Sequence, residues 1–180
     1  MHSDFSIALT GRRLSLAAIF IAILCAGCQS AHVPDSVVTK FPGSDTDAQL
    51  SFWHELAERH LTSNDDAFHG LLLYLDGKDD NTSYAQRVAN LKSRGMLPDS
   101  FSAPPDVAVR RGVIAVAITK ILDIKGGWAM HVFGPTQRYA TRELIYDDVF
   151  PPSSAQQTFS GSEYVGIIGK IEDYQRTTGG

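Results

Sequence analysis

Apolar residues recur three and four positions apart through most of the chain after residue 46, with polar, Gly or Pro breaks between the runs. This spacing is typical of amphipathic α-helices. A first helix is predicted over about residues 47 to 61, with Thr46 or Asp47 as its N-cap. Its apolar face consists of Leu50, Trp53, Ala57 and Leu61.

A second helix is predicted after an N-cap at Asn64 or Asp65, and it ends at Gly77, because glycine readily takes the left-handed conformation that closes a helix. Three aspartates surround that glycine. They lack the spaced oxygens and the terminal Glu of a calcium loop, so we expect a solvated helix end there. These aspartates are Asp76, Asp79 and Asp80.

The third helix is predicted to begin after Thr82 or Ser83 and to end at Gly95. The fourth is predicted from Val109 to Ile124. Apolar residues surround most of it, which is typical of a central, buried helix.

Gly126-Gly127 is expected to end the fourth helix. Residues 128 to 133 then form either one short strand or an extended packed segment. A fifth helix is predicted to start at Gly134-Pro135-Thr136 and to continue to about Asp148.

The sixth helix begins with a capping box, in which Ser160 and Glu163 each satisfy the other's backbone N–H group. Gly166 and Gly169 lie inside this helix, where glycine is unfavourable, so we expect them to permit a close contact with another helix. The tail after Tyr174 is expected to fray.

Together these patterns predict an all-α fold, a small bundle of five or six helices that contains a two-copy helix-loop-helix repeat and follows a flexible tether. The predicted organisation is a signal peptide at 1–27, a modified cysteine and tether at 28–46, a helical domain at 47–175 and a disordered tail at 176–180.

The N-terminal segment has an apolar run, residues 14 to 24, after Arg12 and Arg13, and it ends in Leu24-Cys25-Ala26-Gly27-Cys28. It resembles the signal peptide of bacterial lipoproteins. The resemblance implies cleavage before Cys28 and acylation of its thiol, by palmitate or a similar chain. An uncleaved signal anchor and an ordinary secretory signal are the alternatives.

Gln29 follows the cysteine, which by resemblance to lipoproteins of two-membrane bacteria implies attachment to the outer membrane, facing the periplasm. Removal of residues 1–27 takes away two arginines and one aspartate, so the net charge changes from −4 to −5. An acidic chain without a basic cluster argues against a nucleic-acid partner. The membrane partner is expected to be reached through the lipid on Cys28.

Two stretches of the chain can be aligned as helix, turn, Pro-bearing loop and helix. Leu91, Met96, Leu97 and Pro98 match Leu144, Val149, Phe150 and Pro151. Val109, Val113, Ile114 and Ala115 match Phe159, Glu163, Tyr164 and Val165.

This repeat resembles the S-layer homology module over roughly residues 84 to 172. The carrying motifs are Lys92-Ser93-Arg94-Gly95-Met96-Leu97-Pro98 as the turn, with Val109-Arg110-Arg111-Gly112 and Phe159-Ser160-Gly161-Ser162-Glu163 as the helix openings. The family commonly groups three units, and the sequence shows two. The resemblance implies binding of a cell-wall polymer, with Arg111 as the candidate contact to an anionic saccharide; the alternative is a solvated first-turn residue.

Residues of the fifth helix and the segment before it combine aromatic and Arg side chains, which suits a recognition surface. The candidate binding residues are Trp128, Arg138 and Arg142, near His131, Tyr139 and Glu143. The alternative is that the aromatic rings belong to the core and that Arg142 pairs with an acidic residue.

The sequence lacks recognisable catalytic motifs. The sequence has no nucleophile elbow, phosphate-binding loop or dinucleotide fingerprint. His54 and His60 are six residues apart and therefore lie on different faces of a helix, whereas His54 and Glu58 suit a surface pair. No catalytic residue, metal site or cofactor is predicted.

The predicted function is that of a structural or adaptor lipoprotein, which binds cell-wall polysaccharide, peptidoglycan or another envelope protein. An accessory subunit of a larger envelope enzyme or secretion complex is the main alternative, and a small independent hydrolase ranks third. A groove lined by Arg and Trp would favour a saccharide, and an exposed apolar patch would favour a protein partner.

Overall fold

The computed structural model describes residues 30–43, 45–126 and 134–178, without the side chain of residue 178. The chain divides between residues 31 and 32, and the fold described here is the unit that begins at His32. The helices are α1 (Thr46–Ala57), α2 (Asn64–Asp76), α3 (Tyr84–Ser93), α4 (Arg111–Ile121), α5 (Gln137–Tyr146) and α6 (Gly161–Thr178), preceded by a 3-10 helix at Val37–Thr39. In the described ranges, β pairing is limited to three isolated bridges, so the predicted all-α bundle is confirmed.

The six helices form three helix-loop-helix units: α1–α2, α3–α4 and α5–α6. The first residue of each second helix donates its backbone N–H to the segment that leads into the second helix of another unit. These hydrogen bonds join Asn64 N to Val107 O at 2.9 Å, Arg111 N to Gln157 O at 2.7 Å and Gly161 N to Arg59 O at 2.8 Å.

The three hydrogen bonds close a cycle, from unit one to unit two, from two to three and from three to one. Each satisfies an N–H group that a helix N-terminus would otherwise leave without an acceptor. The two sequence repeats are therefore accompanied by a third unit, which the sequence comparison missed.

The core lies among the second helices of these units and the helices that pack on them. Helix α2 is buried along most of its length, as is α4, and α4 packs closely on α5. Large fully buried side chains include Phe52, Phe68, Ile114, Leu144, Phe159 and Tyr164. The prediction of a buried fourth helix is confirmed, although the helix is shorter than expected.

Helix ends follow the sequence signals closely, with two corrections. Ser83 caps α3, and Gly77 closes α2 with a φ of 70°. The N-cap of α1 is Asp45, whose carboxylate accepts the N–H of Ala48. The N-cap of α2 is Ser63, one residue before the predicted candidates, because its hydroxyl reaches the N–H of Asp66.

Residues 32 to 40 were expected to belong to the flexible tether, and this is wrong. Val37 and Val38 are buried in the core, although they show no periodic pattern. The carboxylate of Asp66 accepts a hydrogen bond from Ser36 Oγ at 2.6 Å and one from Val38 N at 2.9 Å. This segment, residues 32 to 40, is part of the folded unit.

Two expectations for α6 are also wrong. Gly166 and Gly169 are exposed, and a Cβ at either position would meet no atom within 4 Å in the described structure, so neither serves a close helix contact. The helix does not end near Tyr174 but continues to Thr178. Asp173 supports the last turn by pairing with Arg176 at 2.8 Å.

Candidate functional site

Helix α5 presents a stripe of exposed side chains one turn apart. Thr136 caps the helix, and Ala140, Thr141 and Leu144 form its buried face. The opposite stripe carries Arg138, Arg142 and Tyr146, at positions i, i+4 and i+8. We call these three residues the α5 stripe. Tyr146 is 85% exposed, which is unusual for a large aromatic side chain.

A groove of about 340 Å³ lies between the two arginines of this stripe and the loop before α6. Arg138, Arg142 and Thr141 line the groove from the helix, and residues 153 to 156 line it from the loop. The loop is held in place because Ala155 O accepts the N–H of Gly112 at 2.9 Å. The groove therefore lies within the third unit, and this hydrogen bond anchors its loop to the second unit.

A third arginine contacts the loop. Arg110 is exposed, and its Nη1 donates a hydrogen bond to Gln156 Oε1 at 3.1 Å. Because Gln156 lines the groove, this contact brings a third guanidinium group to its edge.

The two helix arginines have no acidic partner among the residues that the structure describes. No ion pair or hydrogen bond joins Arg138 or Arg142 to another described side chain. The acidic residues of α5, Glu143 and Asp147, follow a neighbouring line of the helix surface. Burial raises the pKa of Asp147, and the nearby Glu143 raises it further. The stripe is thus a local cationic surface on an acidic chain.

Arg111, the residue matched to the family motif, lies in the first turn of α4 but is only 5% exposed. Its Nη2 donates to Glu163 Oε1 at 2.6 Å and its Nε to Thr158 O at 3.2 Å. The guanidinium group stacks 4.8 Å from the centre of the Phe159 ring. This arginine joins the second unit to the third and is not a solvated residue.

The acid that Arg111 contacts also caps α6. Ser160 N donates to Glu163 Oε2 at 2.9 Å, and Glu163 N donates to Ser160 Oγ at 3.2 Å, so the predicted capping box is confirmed. The hydrogen bond from Ser160 N lowers the pKa of the Glu163 carboxyl, and Arg111 adds to this shift against the effect of burial.

Several sequence candidates fall elsewhere. Cys28, Trp128 and His131 lie outside the described residues, as does the segment predicted as a short strand. Tyr146 is part of the α5 stripe, but it was not among the binding residues predicted from the sequence. Its spacing of four residues from Arg142 was the signal that could have found it.

A second cluster of charged groups is buried between α2 and α3. Asp79 was expected at a solvated helix end, and this is wrong, because it is only 7% exposed. Asp79 accepts hydrogen bonds from Arg87 Nε and from the His69 ring, the latter at 2.7 Å. Arg87 Nη1 also donates to Asp65 at 2.9 Å.

Burial disfavours the ionised form of Asp79, but hydrogen bonds from His69, Arg87 and Asn81 outweigh this effect and hold its pKa far below the usual range. Burial raises the pKa of Asp65, because Arg87 compensates it only in part. A single arginine therefore stabilises two carboxylates unequally.

The His69–Asp79 pair resembles a general-base arrangement in composition only. The side chains of both residues have no exposed surface, so a substrate cannot reach them. Within the described ranges no group of His, Cys, Asp and Glu side chains suits a metal ion. His54 and Glu58 form the expected exposed pair, with 3.7 Å between Nε2 and Oε1.

The described residues contain no helix that is both long and apolar enough to span a bilayer. Comparison with known proteins finds no matching family model, no similar curated protein and no similar solved structure.

Proposed function

We propose that this chain is an adaptor lipoprotein of the cell envelope, which binds an anionic envelope polymer through the α5 stripe and its groove. The observation that carries the proposal is the pair Arg138 and Arg142, exposed beside a groove and without an acidic partner among the described residues. Guanidinium groups bind carboxylate and phosphate through two parallel hydrogen bonds. The chain has a net charge of −4, so a local group of exposed arginines does not follow from an overall basic composition.

The arrangement of three units supports the resemblance to S-layer homology modules, which commonly occur in groups of three. The groove lies within the third unit, and hydrogen bonds join its loop to the second unit; these are the two units that carry the matched motifs. Arg111, which the resemblance proposes as the saccharide contact, is buried and donates to Thr158 O, just after the loop that lines the groove. Arg138 and Arg142 would make the contact.

A protein partner is the second candidate. Among the described residues only two large hydrophobic side chains are strongly exposed, Leu50 and Tyr146. They lie on different helices, α1 and α5, and Tyr146 shares its stripe with two arginines. An exposed apolar patch of the kind that docks proteins is therefore not supported in the described part of the chain.

Co-sedimentation with purified cell-wall sacculi, with and without their attached polymers, tests the binding. The protein is the mature chain, residues 28 to 180, with Cys28→Ser to remove the lipid. We expect it to pellet and the double variant Arg138→Ala/Arg142→Ala to remain in solution, whereas Arg176→Ala, an exposed arginine on α6, pellets normally. Equal pelleting of all three would contradict the proposed surface, and no pelleting would contradict wall binding.

Attachment through Cys28 and the outer-membrane location are part of the proposal and have their own test. We expect Cys28→Ala to block lipid attachment and processing, so that metabolic labelling with a fatty acid is lost. If the labelled protein persists in this variant, or if wild-type protein is never labelled, the lipoprotein assignment is wrong.

A further inference from the structure

We infer that the α5 stripe binds an extended linear polyanion, with several acidic groups along one chain, instead of a single charged terminus. This inference rests on the proposed function and specifies its ligand. It comes from the spacing of the exposed groups on α5 and from the shape of the groove beside them.

The spacing matches a ligand that lies along the helix. Arg138, Arg142 and Tyr146 follow one another at intervals of four residues, about 6 Å each, so the stripe extends over about 12 Å. Each guanidinium fork can bind one carboxylate or phosphate group of a ligand. A chain with repeated acidic groups can engage both arginines together.

The groups of the stripe differ in chemistry along its length. The arginines lie toward the start of α5 and the tyrosine at its end. The Tyr146 ring is 85% exposed and offers a flat apolar face, which suits the apolar face of a sugar ring or another part of the polymer backbone. Acidic groups are therefore expected over Arg138 and Arg142, and uncharged backbone over Tyr146.

The groove gives the polymer a second wall. Residues 153 to 156 run opposite the arginines, and Ser153 and Ser154 add hydroxyl groups to the lining. At this wall Arg110 contacts Gln156 at 3.1 Å, so a third cation lies at the groove edge. An acidic chain in the groove would meet Arg138 and Arg142 along one side, with Arg110 close to the loop that forms the other side. This charge pattern favours a polyanion over a neutral polysaccharide.

Calorimetric titration of a length series tests the inference on the mature chain with Cys28→Ser. The carboxylate probes are galacturonic acid and its linear oligomers, the phosphate probes are inorganic phosphate and linear polyphosphate, and neutral maltooligosaccharides are the control. We expect oligomers to bind roughly tenfold or more tightly than monomers, because the second contact becomes intramolecular. The preferred series identifies the acidic group.

Single-residue variants test the contribution of each contact to binding separately. Arg138→Ala should remove most of the gain with length and lower the slope of log K against log salt concentration by about one. Tyr146→Ala should weaken the longer uronate oligomers more than the monomer, and Arg176→Ala should change nothing. Equal affinity for monomer and oligomer, or equal affinity for neutral oligomers, would overturn the inference.

Different results would contradict the polymer-binding function and the extended ligand. If sacculi pellet the protein through Arg138 and Arg142 but no oligomer binds better than its monomer, the polymer-binding function stands and the extended ligand is wrong. If neither sacculi nor oligomers bind, the proposed function fails as well.

Discussion

Buried charges at single residues decide much of the stability of this domain. Arg87 contacts both Asp65 and Asp79, and His69 adds a hydrogen bond to the second carboxylate. Removing one partner from a buried charged pair leaves the other without compensation, which commonly costs about 3 to 5 kcal/mol. Asp79 has the larger number of donors, so its substitution should be the more severe of the two.

Asp79→Asn is expected to lower the free energy of unfolding at pH 7 by about 3 kcal/mol. The folded-state pKa of Asp79 is depressed, so its contribution is fully present above the unfolded pKa of about 4 and decreases progressively as the pH falls from there toward the folded-state pKa. Urea denaturation at pH 7 and at pH 3 should therefore show a smaller difference between variant and wild type at pH 3. An unchanged difference would show that ionised Asp79 does not stabilise the fold.

Sequence signals at the residue scale were reliable where the interaction is local. The capping box of Ser160 and Glu163 needs only three residues of chain and was predicted correctly. The burial of Asp79, in the loop after α2, depends on Arg87, which is eight residues away in α3. The sequence pattern around Gly77 therefore gives no indication of the contact between Asp79 and Arg87.

At the scale of elements, two glycines of α6 differ in how closely another helix approaches them. A Cβ at Gly161 would lie 1.6 Å from the carbonyl oxygen of Leu56, because the start of α6 meets the end of α1. A Cβ at Gly166 would meet nothing within 4 Å in the described structure. Both glycines lie in the same helix, so they form a matched pair.

Gly161→Ala is expected to destabilise the domain strongly, since backbone must move to remove the overlap with Leu56. Gly166→Ala should stabilise it by about 0.5 to 1 kcal/mol, because alanine is the better helix former. Thermal unfolding followed by circular dichroism measures both changes. A similar melting temperature for the Gly161→Ala variant and the wild type would contradict the close contact of α1 and α6.

The helices themselves were largely predictable, because their caps and glycine ends are encoded within a few residues. The first unit was missed as a copy, since its loop, residues 58 to 63, is short and has no proline, whereas the loops of the other units contain Pro98 and Pro151. What identifies the unit is the cycle of backbone hydrogen bonds through Asn64, which leaves no mark in side-chain chemistry.

Across the whole molecule, a helix and a loop that the sequence showed only as separate pieces form one surface. Arg138 and Arg142 were predicted from their own helix, but the groove also requires residues 153 to 156 of the loop before α6, which Arg110 of the preceding unit contacts. The same assembly buries Arg111 between α4 and α6. The arginines proposed for binding are therefore exposed, whereas Arg111 is buried in a contact between two units.

Nuclear magnetic resonance of the isotopically labelled mature chain with Cys28→Ser, titrated with solubilised wall polymer, locates the binding surface residue by residue. We expect chemical-shift changes concentrated at residues 138 to 146 and 153 to 156, which disappear in Arg138→Ala/Arg142→Ala. Changes centred instead on Leu50 and α1, or identical changes in the double variant, would contradict binding through the α5 stripe.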